Sequence, residues 1–275
     1  MTGPGLFSDI GKKAKDVLTK DYSCDQKLTI STHSASGVGL TSAAVKKGGL
    51  YSFDIGTQYK YKNTLINVKV DTDSNVSTTL TMVEILPSTK TIASFKLPDY
   101  NSGKLEIQYF HHHASFTTAV ALKQSPVVDL SGTVGAHGIA FGAEAGFDTA
   151  SGSFTKYSAG ISLGKPDYNA SIILADKGDT LRGSYVFHLD EMQKSAVVGE
   201  ITRRFSTNEN TFTVGGQYAL DPQTTVKSRL NNSGKLAALL QHELKPKSIL
   251  TISGEFDTKS LDRTPKFGLA LALKP

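Results

Sequence analysis

From Gln26 onward apolar and polar side chains alternate in run after run, and few folds accept that pattern. Tyr51, Phe53, Ile55, Tyr59 and Tyr61 alternate with Ser52, Asp54, Gly56, Gln58 and Lys60. The same period recurs in Leu105/Ile107/Tyr109, Phe141/Ala143/Ala145/Phe147, Phe212/Val214/Gly216/Tyr218 and Phe267/Leu269/Leu271/Leu273. Successive side chains of a strand point to opposite faces, so each run has one oily face and one wet face. Short turn signals separate the runs, among them Lys47-Gly48-Gly49, Asp73-Ser74-Asn75, Asn101-Ser102-Gly103 and Asn232-Ser233-Gly234. Connections this short join antiparallel neighbours. No linker or shift in composition divides the chain. We therefore read residues 1–275 as a single all-β unit, with a helix and link at 1–25 and the sheet at 26–275.

A soluble sandwich shows the same alternation. A sheet of many hairpin-linked strands has edges to hide, however, and closure removes them. The wet faces also carry Ser, Thr, Gly and ionised residues in quantity. A closed barrel with apolar residues outside and polar residues inside is the transmembrane arrangement. No window of 18 apolar residues is present, so a membrane helix is not expected.

The exception to the β pattern is Leu6–Lys20, where Leu6, Phe7, Ile10, Ala14, Val17 and Leu18 form an apolar stripe at helical spacing. Asp9, Lys12, Lys13, Lys15, Asp16 and Lys20 lie mostly opposite. About 15 residues give a rod of roughly 22 Å, too short to span a bilayer. The stripe suits either the wall of a wide lumen or the membrane interface, and the pattern supports both alike. Its two acidic residues and lack of Arg argue against a cleaved mitochondrial presequence, and no secretory leader is read. A lone cysteine, Cys24, excludes an intrachain disulfide. The net charge of +5 suits an interior or surface that prefers anions, and no Lys/Arg block of the kind that marks a nucleic-acid arm is present.

Several motifs identify a resemblance. Ser8-Asp9-Ile10-Gly11-Lys12, continuing through Asp16-Val17-Leu18-Thr19-Lys20, resembles the N-terminal helix of the voltage-dependent anion channels, the porins of the mitochondrial outer membrane. Tyr218-Ala219-Leu220-Asp221-Pro222, followed by Lys227-Ser228-Arg229-Leu230-Asn231-Asn232, resembles that family's C-terminal signature, and the likeness is greatest to plant members. Lys266, Gly268, Leu271 and Leu273 match the membrane-insertion signal of mitochondrial outer-membrane barrels.

The resemblance implies a multi-pass transmembrane β-barrel of 19 strands, a count long associated with this channel. It also implies a parallel first and last strand and an N-terminal α-helix inside the pore. Animal members have glycines in the link where this chain has Asp21, Ser23 and Asp25, so a swinging helix is less expected here. Val68 stands where animal members often carry a lipid-facing glutamate.

Alternation places Lys60, Lys62, Lys69, Lys96, Lys123, Arg182, Lys227 and Arg229 on the wet face, opposed by Asp54, Asp71, Glu106, Glu144 and Asp148. Asp9, Lys12, Lys15, Asp16 and Lys20 are the charges that a pore helix would bring to gating, and the resemblance implies nucleotide contact at Lys12 and Lys20. No catalytic or cofactor constellation is found. Gly132, Gly135 and Gly138 lack the strand-to-helix context of a dinucleotide loop. His111, His112 and His113 read as a turn and not as a metal site, since neighbouring strand residues diverge.

The expected function is a voltage-gated, weakly anion-selective channel for ATP, ADP, phosphate and small anions across the mitochondrial outer membrane. Membrane lipid surrounds it, and the resemblance adds homo-oligomers, cytosolic kinases and apoptotic regulators as partners. The alternatives are a protein-import pore of the same membrane or a non-conducting docking platform.

Overall fold

A computed structural model describes residues 3–260, 262 and 264–274. The strands are β1 (Gln26–His33), β2 (Val38–Lys47), β3 (Leu50–Tyr61), β4 (Thr64–Asp71), β5 (Val76–Val83) and β6 (Thr89–Leu97). They continue as β7 (Gly103–Phe110), β8 (Ala114–Leu122), β9 (Val127–Ala136), β10 (Ile139–Asp148), β11 (Ser153–Gly164), β12 (Tyr168–Ala175) and β13 (Thr180–His188). The last are β14 (Ala196–Arg204), β15 (Glu209–Asp221), β16 (Thr224–Asn231), β17 (Lys235–Lys245), β18 (Ser248–Asp257) and β19 (Lys266–Leu273). All 19 form one sheet in which each strand pairs with the next in sequence. β1 then pairs with β19 in parallel, from Gln26 opposite Leu269 to Ile30 opposite Leu273, and the sheet closes.

Opposed residues in a ladder share a face, so facing can be followed from strand to strand. Ser171 and Ser184 both lie beside Gly11 of the N-terminal segment and so face inward. Ser184 opposes Glu200, Glu200 opposes Thr213, and Thr213 opposes Asn231. Followed through the remaining ladders and across the parallel seam, this parity returns to β12 without conflict.

The outward set is apolar and bare: Ile55 is 62% exposed, Phe141 54% and Phe267 64%. Burying such a side chain is worth roughly 1.5–3 kcal/mol, a gain that dozens of them would forgo in water. Only a hydrocarbon surround recovers it, and closure satisfies the strand backbones there. A sandwich would have buried these residues between two sheets. The compact apolar cluster lies instead under the helix, where Ala14, Val17 and Leu18 meet Val186, Ala196 and Val198. Val68 sits on the outward face of β4, opposite Thr57 and Thr78.

The N-terminal segment differs from the expected continuous helix. A 3-10 turn at Phe7–Asp9 is followed by α1 over Lys12–Thr19 only. Ile10 is extended and Gly11 takes φ 73°, a left-handed conformation that glycine adopts without steric cost. The break lets Ile10 reach β10 and β11 while α1 lies along β13 to β16.

Candidate pore and the helix inside it

The wall is built to receive this segment. A methyl group on Gly142 would lie 2.8 Å from the Phe7 ring, and one on Gly215 would lie 2.6 Å from Leu18 Cδ2. Ile10, Ala14, Val17 and Leu18 are buried against the wall, whereas Lys12, Lys13, Lys15 and Lys20 remain exposed. The helix is thus in the lumen, with its apolar stripe on the barrel and its lysines toward the opening. Asp9 accepts a hydrogen bond from Lys12 Nζ at 3.1 Å, and this contact raises the Lys12 pKa from its ordinary value. Lys13 donates to Gln193 Oε1 at 3.1 Å and ties the helix to the β13–β14 loop.

The ladders turn Lys60, Lys69, Lys96, Arg182, Lys227 and Arg229 inward. Two of the basic candidates are not on strands. Lys62 lies in the β3–β4 turn at φ 49°, with its ammonium 5.5 Å from the centre of the Tyr61 ring, which faces outward. Lys123 follows the end of β8 in a bend. Both belong to the rims, because alternation marks a face but not where a strand stops.

The inward cations are not equivalent. Lys69 pairs with Asp54 at 2.9 Å, and Lys227 lies 4.0 Å from Asp21 of the link. Arg229 donates to the Leu18 carbonyl at 2.8 Å and reaches Glu255 at 3.5 Å. Lys15, Lys20, Lys60 and Lys96 make no ion pair among the described residues. Lys104, which alternation did not single out although it shares the inner face of β7 with Glu106, pairs with that carboxylate at 3.1 Å. Lys156, in a run with weaker apolar alternation, bridges Asp129 at 3.4 Å and Glu144 at 3.3 Å.

A cavity of about 660 Å³ separates the lysine face of the helix from the wall. It is lined by five cations (Lys12, Lys15, Lys104, Lys156, Arg182) and five anions (Asp16, Glu106, Asp129, Glu144, Glu200), a balance of zero. Beside the helix the lumen is therefore polar but neutral. Lys20, Lys60 and Lys96, which make no ion pair among the described residues, lie outside the lining of this cavity.

Residues 3–268 match the eukaryotic porin family. The chain belongs to that family. This porin is 73% identical over 275 residues to the mitochondrial outer membrane protein porin 5 of Oryza sativa subsp. japonica, covering 100% of this chain and 99% of that one. It is 65% identical over 273 residues to the mitochondrial outer membrane protein porin 2 of Arabidopsis thaliana, with 99% of each chain covered. The outer plastidial membrane protein porin of Pisum sativum is 51% identical over 273 residues, again with 99% of each covered. A triple mutant of the Rhodopseudomonas blastica porin has a TM-score of 0.50 at 8% identity over 83% of this chain and 89% of that chain, which bears on the fold alone. In this porin the C-terminal signature falls on the end of β15 and on β16, so from within it Lys227 reaches the link and Arg229 the end of α1.

Proposed function

We propose that this porin is a voltage-gated and weakly anion-selective channel, formed by residues 1–275 acting as one unit. It is a metabolite diffusion channel of the mitochondrial outer membrane. The observation that carries the reading is the closed barrel with an apolar outer face and a charged, wet inner face. Unpaired Lys20, Lys60 and Lys96 favour anions such as phosphate, ADP and ATP, with Lys12 and Lys20 as candidate nucleotide contacts. Screening over about 8 Å at physiological salt keeps that preference weak.

In planar bilayers under a salt gradient, the purified protein should conduct with a reversal potential of the sign for anions. Absence of conductance, or a cation-signed potential in the open state, would overturn the reading. Presequence peptides should leave the current unblocked, as expected for a metabolite channel and not an import pore. Homo-oligomers and docking of cytosolic kinases or apoptotic regulators are supported by the family resemblance, and cross-linking in liposomes tests the former. Lys266 and Gly268 face the lumen while Leu271 and Leu273 face lipid, a disposition that suits the insertion signal read from sequence.

A further inference from the structure

We propose that Arg229 is a positioning residue that clamps the C-terminal end of the pore helix to the wall, so that the helix stays docked while the channel gates. The proposal rests on the channel reading and goes beyond it. Arg229 Nη1 donates to the carbonyl of Leu18 at 2.8 Å. That carbonyl belongs to the last turn of α1, where the backbone acceptors have no partner within the helix. The same guanidinium lies 4.7 Å from the centre of the Tyr22 ring, a cation–π distance, and its other nitrogen reaches Glu255 at 3.5 Å. One side chain thus holds a helix end, the ring beyond it and, across β17, a carboxylate of β18.

The adjoining strands hold the next residues. Asp21 takes φ 71°, which turns the chain away from the helix, and its carboxylate accepts from Gln241 Nε2 at 3.3 Å and lies 4.0 Å from Lys227 Nζ. The Lys227 side chain is only 8% exposed, so its charge serves the link more than the lumen. The Ser253 hydroxyl donates to the carbonyl of Ser23. On β19 that carbonyl passes directly over Gly268, where any side chain would overlap it. Four consecutive strands, β16 to β19, therefore grip residues 18–23 one after another. A helix that swung into the pore about Lys20 would have to release the Arg229–Leu18 bond, and one that swung about the start of β1 would have to release all of these contacts. A planar donor fork can bond a carbonyl, bond a carboxylate and stack on a ring at once, which an ammonium cannot.

The test compares wild type, Arg229→Gln and Arg229→Lys with two readouts. In planar bilayers, Arg229→Gln should populate undocked subconductance states, raise open-state noise and shift closure toward lower voltage. The docked-to-undocked ratio should fall about tenfold or more, the worth of a charge-assisted hydrogen bond. Arg229→Lys should keep the wild-type reversal potential yet show the same gating defect in milder form. A spin label on Lys20→Cys, in a Cys24→Ser background in nanodiscs, should become more mobile with Arg229→Gln; this readout does not depend on conduction.

Wild-type gating, noise and label mobility in Arg229→Gln, with only the reversal potential changed, would overturn the clamp and leave Arg229 a pore charge. Should Arg229→Gln fail to fold, Arg229→Lys keeps the charge but not the planar fork and should loosen the label in the same direction; an unchanged spectrum would overturn the proposal. A wild-type protein that does not conduct would sink the channel reading alone, because the label still reports on the clamp.

Discussion

Tyr22 shows how strongly one residue of the link is enclosed. Burial pushes its phenol up to about 12, with the Arg229 charge opposing the shift only in part. An unfolded tyrosine ionises near about 10, so between the two values the unfolded chain loses a proton that the folded chain keeps. The contribution of Tyr22 to stability is complete below that window and is lost as pH rises through it. Urea unfolding in detergent should weaken from about pH 10 upward, and Tyr22→Phe should remove that part of the slope. Little of this was legible in sequence. Parity turned Lys227 and Arg229 to the correct face, but the groups they bond lie some 200 residues away, and alternation carries no record of them. Lys62 illustrates the opposite limit. Its place in the alternation continued the strand that a positive φ had already ended.

Among the elements, the helix depends on its seat more than on its own propensity, since eight residues make a marginal helix in isolation. Ala14, 1% exposed, is packed with Val186 and Val198. Ala14→Asp would bury an unpaired carboxylate there, at a cost of at least roughly 2 kcal/mol. The expected outcome is a segment that proteases remove from reconstituted protein while the barrel keeps its β-sheet circular dichroism. Gly142→Leu should displace Phe7 and Ile10 by direct overlap and leave α1 on its strands. A fluorophore at Ser8→Cys, in a Cys24→Ser background, should then report a wetter site. The apolar stripe was legible because helical spacing survives the break. The break itself was not, since a single glycine within a helical pattern is often accommodated without interruption. What decides its conformation is the need for Ile10 to reach β10 and β11.

For the whole molecule, closure is uneven. The parallel seam has five register pairs, whereas β9 and β10 share ten. Parallel pairing is also slightly the weaker kind. Amides of Gln26–Ile30 and Leu269–Leu273 should therefore exchange hydrogen before those of β9 and β10, as measured by mass spectrometry on protein in nanodiscs. The hairpin array was legible because each antiparallel ladder joins neighbours in the chain. The seam leaves no local mark, and only the family resemblance supplied it together with the strand number.

An odd number of strands also sets where the polypeptide surfaces. β1 starts at the mouth opposite to the one where β19 stops. The leading segment then retraces the lumen, bringing Gly3 beside the backbone of the His111–His113 turn, on the side where Lys274 bonds Ser248. Epitopes fused at the front and at the back should accordingly be reached by antibody from one compartment, both together or neither.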